Sequence, residues 1–453
     1  MAFDKNKILF LNKSNNKLDF ILKYPERILP VTFFLLCILG GILLYLPFSS
    51  PHGVNFIDAL FTSVSAVCVT GLSVVSFGDK FTNIGQFIVM LLIQTGGLGI
   101  MSISSIVFIL LGKRMSLTHE RTARYIFEAE SKEDIKNSLI LIFKYTFLVE
   151  LTGAIILTTA FSIIEHNIFT GLKYGIFSAV SAFCNAGFFF TNDNLVSYNH
   201  YPVIIYTISF LIILGGISPA ICVTLVNLFR KKKLPPVSVI VFYTTIVLLF
   251  FGTLFFFISE YNGVLGGLSL WDKINNAWFQ SVIARTAGFN SVDLSNINMG
   301  TFLLMNALMI AGGSPGSTAG GLKTTTVGLF FITFWNTIRG RDNIIRNRAI
   351  RLDTIQKAIT LTVVYFLILT IAILMLLTTQ SANPLKLIFE AVSALGTVGL
   401  TMGATTALDG VGKIIIITTM FLGRVAPATL LCYLNTRIAD SRIGYPDAKI
   451  SLT

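Results

Sequence analysis

The nine residues VSALGTVGL, at positions 392–400, have counterparts at three earlier places in this chain of 453 residues. The counterparts are VSAVCVTGL (64–72), VSAFCNAGF (180–188) and SVIARTAGF (281–289). Each window has glycine at its eighth position and leucine or phenylalanine at its ninth. An aromatic residue precedes each glycine by ten positions, and these residues are Phe61, Phe177, Trp278 and Phe389. A motif that recurs at intervals of about 100 to 115 residues indicates four copies of one structural unit.

The composition around the windows is that of a membrane protein. Hydrophobic residues make up 54% of the chain and charged residues only 12%, which excludes an ordinary water-soluble domain. Apolar runs such as 138–164, 237–258 and 359–379 have the length of about 20 residues that a helix needs to cross a bilayer. We therefore expect an all-α polytopic membrane protein.

The distribution of basic residues predicts how the chain is oriented. Lysine and arginine crowd into the two terminal tails and into residues 113–136, 230–233 and 339–357, at alternate ends of the apolar runs. By the positive-inside rule, these segments and both termini are cytoplasmic. The net charge of +12 then reflects orientation and contact with anionic lipid, and no nucleic acid partner is expected.

Each window falls between two predicted spans, on the side opposite the basic loops. A short helix followed by extended backbone is tolerated at membrane depth only where it faces water or protein. Four such loops can line one aqueous axis, which predicts pseudo-four-fold helix–pore loop–helix units around a central pore. After a cytoplasmic tail, 1–28, the predicted units are 29–115, 116–234, 235–345 and 346–453.

The glycine of each window is the candidate centre of an ion site. Glycine accepts positive φ, and rings of backbone carbonyls are a known way to select potassium. One such glycine would indicate helix packing, but four copies at the same topological place favour pore loops. The predicted ligand is potassium, with no organic cofactor and no enzymatic activity. The predicted filter residues are Val69, Thr70, Gly71, Asn185, Ala186, Gly187, Thr286, Ala287, Gly288, Thr397, Val398 and Gly399.

A second motif, GGSPGSTAGGLKTT at 312–325, interrupts what would otherwise be one spanning helix. So many glycines and a proline cannot remain helical, so we expect a broken helix here, in the third unit alone. Broken helices mark the transport path in membrane carriers. The candidate gate residues in this stretch are Gly312, Gly313, Ser314, Pro315, Gly316, Gly320, Gly321 and Lys323.

The same stretch is close to a phosphate-binding loop, which makes a membrane ATPase the remote alternative. Gly316 and Gly321 have the glycine spacing of that motif, but one residue too many precedes Lys323. A phosphate-binding loop also needs a buried strand before it, and the sequence shows none.

Arginines within the apolar runs are further candidates, because intramembrane charges are rare and mostly face a cavity. Arg424 lies within the last apolar run, and either bonds helix-terminal carbonyls or contacts the gate. Arg285 flanks the third glycine and is expected to brace that pore loop. The cysteines and histidines have no metal-ligand spacing, so no metal besides potassium is expected.

The motif TVGLTMG at 397–403 is similar to the signature filter of potassium channels. The four windows together resemble the superfamily of potassium transporters built from four joined channel-like units, in particular the membrane subunit of bacterial Ktr uptake systems. This resemblance implies potassium uptake across the inner membrane, with 312–325 as a loop that obstructs the cavity below the filter and Arg424 against it. It also implies a homodimer on a cytoplasmic nucleotide-binding ring formed by another polypeptide.

The ion preference rests on smaller details. The first three glycines follow Val-Thr, Asn-Ala and Thr-Ala instead of Thr-Val, which lowers the four-fold regularity of the site. Plant relatives that favour sodium often replace the first filter glycine by serine, whereas Gly71 is intact here. Potassium is therefore the expected ion. A sodium-conducting or weakly selective monovalent cation transporter is the alternative, and sodium dependence of potassium transport stays open.

Overall fold

The structure is a computed structural model that describes residues 25–51, 53–99, 132–219, 221–222, 224, 234–346 and 348–436. The described residues are mostly helical. Most of the predicted basic loops 113–136 and 230–233, and the two tails, lie outside them. The first seven helices are α1 (Pro25–Tyr45), α2 (Phe56–Val67), α3 (Phe77–Lys80), α4 (Asn83–Leu98), α5 (Lys132–Ile164), α6 (Ile168–Phe183) and α7 (Pro202–Gly216). The remaining helices are α8 (Pro236–Glu260), α9 (Leu270–Ile283), α10 (Met299–Ile310), α11 (Thr324–Ile338), α12 (Leu352–Thr379), α13 (Pro384–Gly396) and α14 (Gly410–Thr436).

Four of these helices contain stretches long and apolar enough to cross a membrane. The stretches are Leu139–Ile164 in α5, Pro236–Glu260 in α8, Leu352–Thr379 in α12 and Gly410–Leu431 in α14. Large apolar side chains on their outer faces are exposed, for example Phe250 and Phe366, as expected for helices that contact lipid. The helical, membrane-spanning class predicted from composition therefore agrees with the structure. A short hairpin, β1 (Ile344–Ile345) with β2 (Arg348–Ala349), joins α11 to α12.

Four short helices, α2, α6, α9 and α13, each lead directly into one of the repeated windows. Side-chain oxygens cap three of them at the start: Asn167, Ser269 and Asn383 accept backbone N–H groups of the first turn of α6, α9 and α13. A buried phenylalanine in each of these helices helps to hold it in the interior. Phe61, Phe279 and Phe389 are among the largest fully buried side chains. Phe279, and not the aligned Trp278, fills that role in α9.

The helices pack in a closed cycle around the four short ones. Helix α4 contacts α6, α7 contacts α9, and α10 contacts α13. The last helix, α14, contacts both α1 and α2, so the end of the described chain packs against its beginning. This arrangement brings the four windows to the middle of the molecule.

The helix that follows the third window is broken where the sequence predicted it. Helix α10 ends at Ile310 and α11 begins at Thr324. The expectation that this is the only break was wrong, because α7 ends at Gly216 and helical residues follow from position 219. Helix α4 also ends early, at Leu98, before Gly99 at φ 80°. Hydropathy misses these two ends because the apolar runs 87–111 and 203–229 continue past them.

Candidate functional site

The four windows leave their short helices with the same backbone geometry. A residue with φ between 50° and 70° comes two positions before each glycine, and these residues are Val69, Asn185, Thr286 and Thr397. The glycines themselves have φ between 68° and 96°, and they are Gly71, Gly187, Gly288 and Gly399. The intervening residue does not have positive φ in any window. This alternation of handedness differs from a regular strand, in which φ is negative throughout, and it fixes the direction of each carbonyl group.

The last three residues up to the glycine of each window, 69–71, 185–187, 286–288 and 397–399, are called segments below. Buried serines form hydrogen bonds that hold three of these four segments. Ser65 accepts the N–H of Thr70 on its carbonyl oxygen (2.7 Å) and the N–H of Gly71 on its hydroxyl oxygen (3.0 Å). Ser393 makes the same two bonds with the last two residues of the fourth segment, at 2.8 and 3.1 Å. The Ser181 hydroxyl donates to the carbonyl that follows the second glycine (3.0 Å). The shared second position of the windows therefore anchors the extended backbone to its helix.

The glycines are required because neighbouring segments approach within van der Waals contact. A Cβ atom on Gly187 would lie 2.7 Å from the carbonyl oxygen of Ala287. A Cβ atom on Gly288 would lie 2.7 Å from the carbonyl oxygen of Val398 and 3.0 Å from that of Thr70. Real Cβ contacts to backbone atoms are essentially never shorter than 3 Å, so a side chain here would displace the backbone of the next segment.

The remaining two glycines complete the set of contacts. A Cβ atom on Gly71 would collide with the carbonyl oxygen of Ala186, and one on Gly399 would collide with that of Thr70. In all four segments, therefore, the carbonyl oxygen just before the glycine lies against the glycine of another segment. The twelve residues predicted as a filter come together as one cluster with four converging carbonyl oxygens.

Two threonine hydroxyls in the cluster have no hydrogen-bond partner. Both Thr70 Oγ1 and Thr397 Oγ1 are buried and unpaired. An unpaired buried hydroxyl costs free energy unless something else binds it. A Cβ atom on Gly320 would collide with Thr397 Oγ1 and would lie 3.0 Å from the carbonyl oxygen of Gly396. The predicted gate loop is thus in direct contact with the base of the fourth segment.

The two limbs of this loop, residues 311–323, run side by side. Gly312 N donates to the carbonyl oxygen of Leu322 (2.9 Å), and Leu322 N donates to that of Ile310 (3.1 Å). Thr324 N donates to the carbonyl oxygen of Gly313 (3.0 Å). Turns at Pro315-Gly316 and Gly320-Gly321 use positive φ at Gly316 (71°) and Gly321 (64°). The two ends of the loop therefore pair in parallel, Ala311 beside Leu322, and the loop has its own hydrogen bonds.

The tip of the loop docks on the broken end of α7. Ser314 N donates to the carbonyl oxygen of Gly216 (3.0 Å), and Ser314 Oγ accepts the N–H of Ser218 (2.7 Å). Thr318 bonds the carbonyl oxygen of Gly215 through both its N–H (3.2 Å) and its hydroxyl (3.0 Å). The loop thus satisfies carbonyl groups that the end of α7 leaves unpaired.

Three cationic side chains bind carbonyl oxygens of the same loop. Lys323 Nζ donates to Ala319 (2.8 Å). Arg424 donates to Thr318 through Nη1 and to Gly96, in α4, through Nη2 (2.7 Å). Arg285 Nη2 donates to the carbonyl oxygen of Gly312 (3.2 Å) and to Thr245 Oγ1 (3.5 Å), so it binds the 311–323 loop and α8, and no side-chain hydrogen bond to its own pore loop is among its contacts in the described residues. None of the ion pairs in the described residues includes any of the three.

Comparison with known proteins agrees with this geometry. The model of the TrkH family, described as cation transport proteins, matches residues 7–435. The chain belongs to the TrkH family.

Relatives of this TrkH-family chain are similar over nearly their whole length. The Ktr system potassium uptake protein B of Bacillus subtilis is 37% identical, over 94% of this chain and 96% of the relative. The potassium/sodium uptake protein NtpJ of Enterococcus hirae is 36% identical, over 94% and 97%. The crystal structure of the potassium transporter TrkH from Vibrio parahaemolyticus matches with a TM-score of 0.68 at 18% identity, over 93% of this chain and 86% of that one. That last likeness concerns the fold.

Membership of the TrkH family gives no support to the ATPase alternative, because the family and these relatives are transport proteins. The structure does not support it either. In the described chain the helix α10 precedes the glycine-rich stretch, where a phosphate-binding loop requires a strand. Lys323 also bonds its own loop, at Ala319.

Several residues of the site were missed in the sequence. They include the three serines. They also include glycines in α4, α7 and α14, the helices that follow the first, second and fourth windows, because the end of a short helix packs against each of these glycines. A Cβ atom on Gly96 would collide with the carbonyl oxygen of Val67, and one on Gly215 with that of Phe183. Gly423, next to Arg424, has the same relationship to Leu395. The sequence did contain a signal for these contacts, which was a glycine in the helix that follows each of these three windows.

Proposed function

We propose that this TrkH-family chain takes up potassium across the bacterial cytoplasmic membrane, through a filter formed by residues 69–71, 185–187, 286–288 and 397–399. The observation that carries the proposal is the convergence of four pre-glycine carbonyl oxygens in a buried cluster. Such a cluster, with two unpaired threonine hydroxyls beside it, is rich in oxygen and holds no cationic side chain of its own segments. A weakly hydrated monovalent cation is a suitable ligand for such a site.

The choice of potassium rests on the relatives and on the glycines. Proteins 37% and 34% identical to this chain are named for potassium uptake. All four predicted filter glycines are present, including Gly71, the position at which plant relatives that favour sodium often carry serine. The specific observation that favours the second candidate, sodium transport or sodium-dependent potassium uptake, is the potassium/sodium name of the Enterococcus relative.

We also propose that the 311–323 loop is the gate. It contacts the base of the fourth segment through Gly320, and its backbone hydrogen bonds to α7 hold it in this place. The positive charges of Arg424, Arg285 and Lys323 lie against the loop without acidic partners among the described ion pairs. They raise a cationic barrier on the path of an ion that leaves the filter, as long as the loop is in place.

The proposed topology follows the four predicted units. In each unit a spanning helix, a short pore helix and a second helix follow one another, as α5, α6 and α7 do. Both termini and the basic loops are proposed to be cytoplasmic, in contact with anionic lipid. The relatives are named as parts of a Ktr system. We propose that this chain likewise works as a homodimer on a separate cytoplasmic nucleotide-binding ring.

The test is ion flux into liposomes that contain the purified chain. Rubidium should enter in preference to sodium, and expression should restore growth of potassium-uptake-deficient bacteria at low external potassium. Deletion of residues 313–321 should raise the rubidium flux because the loop no longer blocks the path. Equal rubidium and sodium fluxes in the wild-type chain would instead support the second candidate, and an unchanged flux after the deletion would exclude the gate.

A further inference from the structure

Glu390 is a buried carboxylate directly behind the fourth filter segment. It lies in α13, nine residues before Gly399, and its side chain is 0% exposed. Its Oε2 accepts a hydrogen bond from the hydroxyl of Thr405 (2.6 Å), and its Oε1 accepts one from the hydroxyl of Thr401. Both threonines belong to the segment that follows the filter. Glu390 therefore links the pore helix to the backbone beyond the glycine.

The network continues into the main chain. The Thr401 hydroxyl oxygen accepts the N–H of Gly403 (2.8 Å) and lies 3.2 Å from the Thr405 hydroxyl. A buried charge is destabilising unless its oxygen atoms are matched by donors. Here the hydroxyl groups of Thr401 and Thr405 donate to the two oxygen atoms, and backbone groups of Met402 and Ala404 also hydrogen-bond the carboxylate. Buried polar networks in which each member has a partner make the local structure rigid. The network thus fixes 401–405 relative to α13, and Gly399 lies between them.

The other three pore helices have no equivalent of this carboxylate. The residues nine positions before their glycines are Thr62, Ser178 and Phe279. The Thr62 hydroxyl donates to a carbonyl of its own helix (2.9 Å), and the Ser178 hydroxyl has no partner. In the third unit the neighbouring residue, Gln280, contacts Asn290 and Ser291, each at 3.3 Å. A carboxylate holds the outer side of the filter in the fourth unit alone.

We propose that Glu390 is a positioning residue of the filter, which sets cation affinity and selectivity by holding Thr401 and Thr405 and thereby the carbonyl of Gly399. This inference rests on the proposed filter function. It differs from a purely electrostatic role, in which a negative charge near the pore would attract any cation. If Glu390 positions the filter, cation affinity depends on the hydroxyls of Thr401 and Thr405. If its charge merely attracts cations, affinity does not depend on them.

The experiment measures rubidium uptake into proteoliposomes at varied rubidium concentration, with sodium as competitor. The variants are Glu390→Gln, Thr401→Val and Thr405→Val. Glu260→Gln is the matched control, since Glu260 is also 0% exposed and accepts backbone N–H groups of Asn298 (2.9 Å) and Val264 (3.2 Å) away from the filter. We expect KM for rubidium to rise about tenfold in Glu390→Gln and at least about threefold in each valine variant, with smaller changes in maximal rate. The control should keep the wild-type KM.

The outcomes separate the possibilities. A changed KM in Glu390→Gln with wild-type behaviour of both valine variants would show that the threonine hydroxyls do not carry the effect, and would overturn the proposal. Wild-type KM and selectivity in all three variants would overturn it as well. If Glu390→Gln fails to fold, the valine variants, which lie outside α13, decide the question. Gly399→Ser serves as the separate test of the filter: unchanged selectivity there would refute the proposed function and not only the role of Glu390.

Discussion

Lys413 Nζ lies 2.6 Å from Asp58 Oδ1, although 355 residues separate the two in the chain. Lys413 is in the first turn of α14, and Asp58 is in the first turn of α2. Their side chains are only 19% and 11% exposed. The ion pair therefore holds α14 against α2, where the cycle of helix contacts closes.

Loss of this pair should destabilise the protein. We expect Lys413→Met to lower the free energy of unfolding by about 1–3 kcal/mol, because Asp58 is left largely buried without its partner. Thermal unfolding in detergent measures the effect. The matched control is Lys357→Met, which removes an i,i+4 pair with Asp353 whose aspartate is 55% exposed. Its expected cost is about 0.5 kcal/mol or less, so equal losses in the two variants would contradict the closure role.

A methyl group in the proposed filter should block transport, whereas the same group at a distant glycine should not. A Cβ atom on Gly187 would lie 2.6 Å from Gly288 Cα, so Gly187→Ala should reduce rubidium flux more than about tenfold. Gly340, after α11, also has positive φ (62°), but nothing lies within 4 Å of its Cβ position. Gly340→Ala should therefore cost about 1–2 kcal/mol of backbone strain and keep its flux. Similar fluxes in both variants would show that crowding between segments is unimportant.

Two serines on one face of α6 allow a direct test of the segment anchors. Ser181 donates to the Phe188 carbonyl oxygen, whereas the buried hydroxyl of Ser178 has no partner. Ser181→Ala should lower the free energy of unfolding by about 1 kcal/mol and weaken rubidium selectivity. Ser178→Ala should be neutral or stabilising, since it removes an unpaired polar group. The reverse order of unfolding temperatures would refute the anchoring role.

If the 311–323 loop is a gate, removal of the arginine that binds it should raise flux. Arg424→Gln loses charge-assisted bonds to Thr318 and Gly96, so the position of the loop seen in the structure is less favoured. We expect about a fivefold increase in rubidium flux through the wild-type filter. Arg346→Gln is the control, because Arg346 also binds a backbone carbonyl, that of Leu234 (3.1 Å), but at an exposed site. A decrease in flux in folded Arg424→Gln protein would argue against a barrier.

The repeats made the centre of the fold predictable. The aligned glycines are crowded by backbone in every window, and such a requirement leaves a trace in sequence because no other residue fits. The glycine-rich stretch after Gly312 was equally visible, since several helix-breaking residues occur together. Arg424 was visible because a charge in an apolar run is rare.

Other parts of the site could not be predicted because they depend on which elements meet. The pairing of Asp58 with Lys413 and the reach of Arg285 to Gly312 join residues far apart in sequence. Glu390 resembles any polar residue of an amphipathic helix until Thr401 and Thr405 are placed beside it. The ends of α4 and α7 were missed for a different reason: glycine pairs at 96–97 and 215–216 carried the signal, but hydropathy does not respond to glycine pairs.

Helix α14 differs from the other second helices in one respect with a mechanical consequence. In the described chain it alone continues past the level at which α4, α7 and α10 stop, and at 27 residues it is about 40 Å long. Pro427 removes one of its internal hydrogen bonds, so bending concentrates there, within one turn of Arg424. A bend at Pro427 would therefore turn the part of α14 that follows it about a point within one turn of Arg424, the residue that donates to the carbonyl oxygen of Thr318.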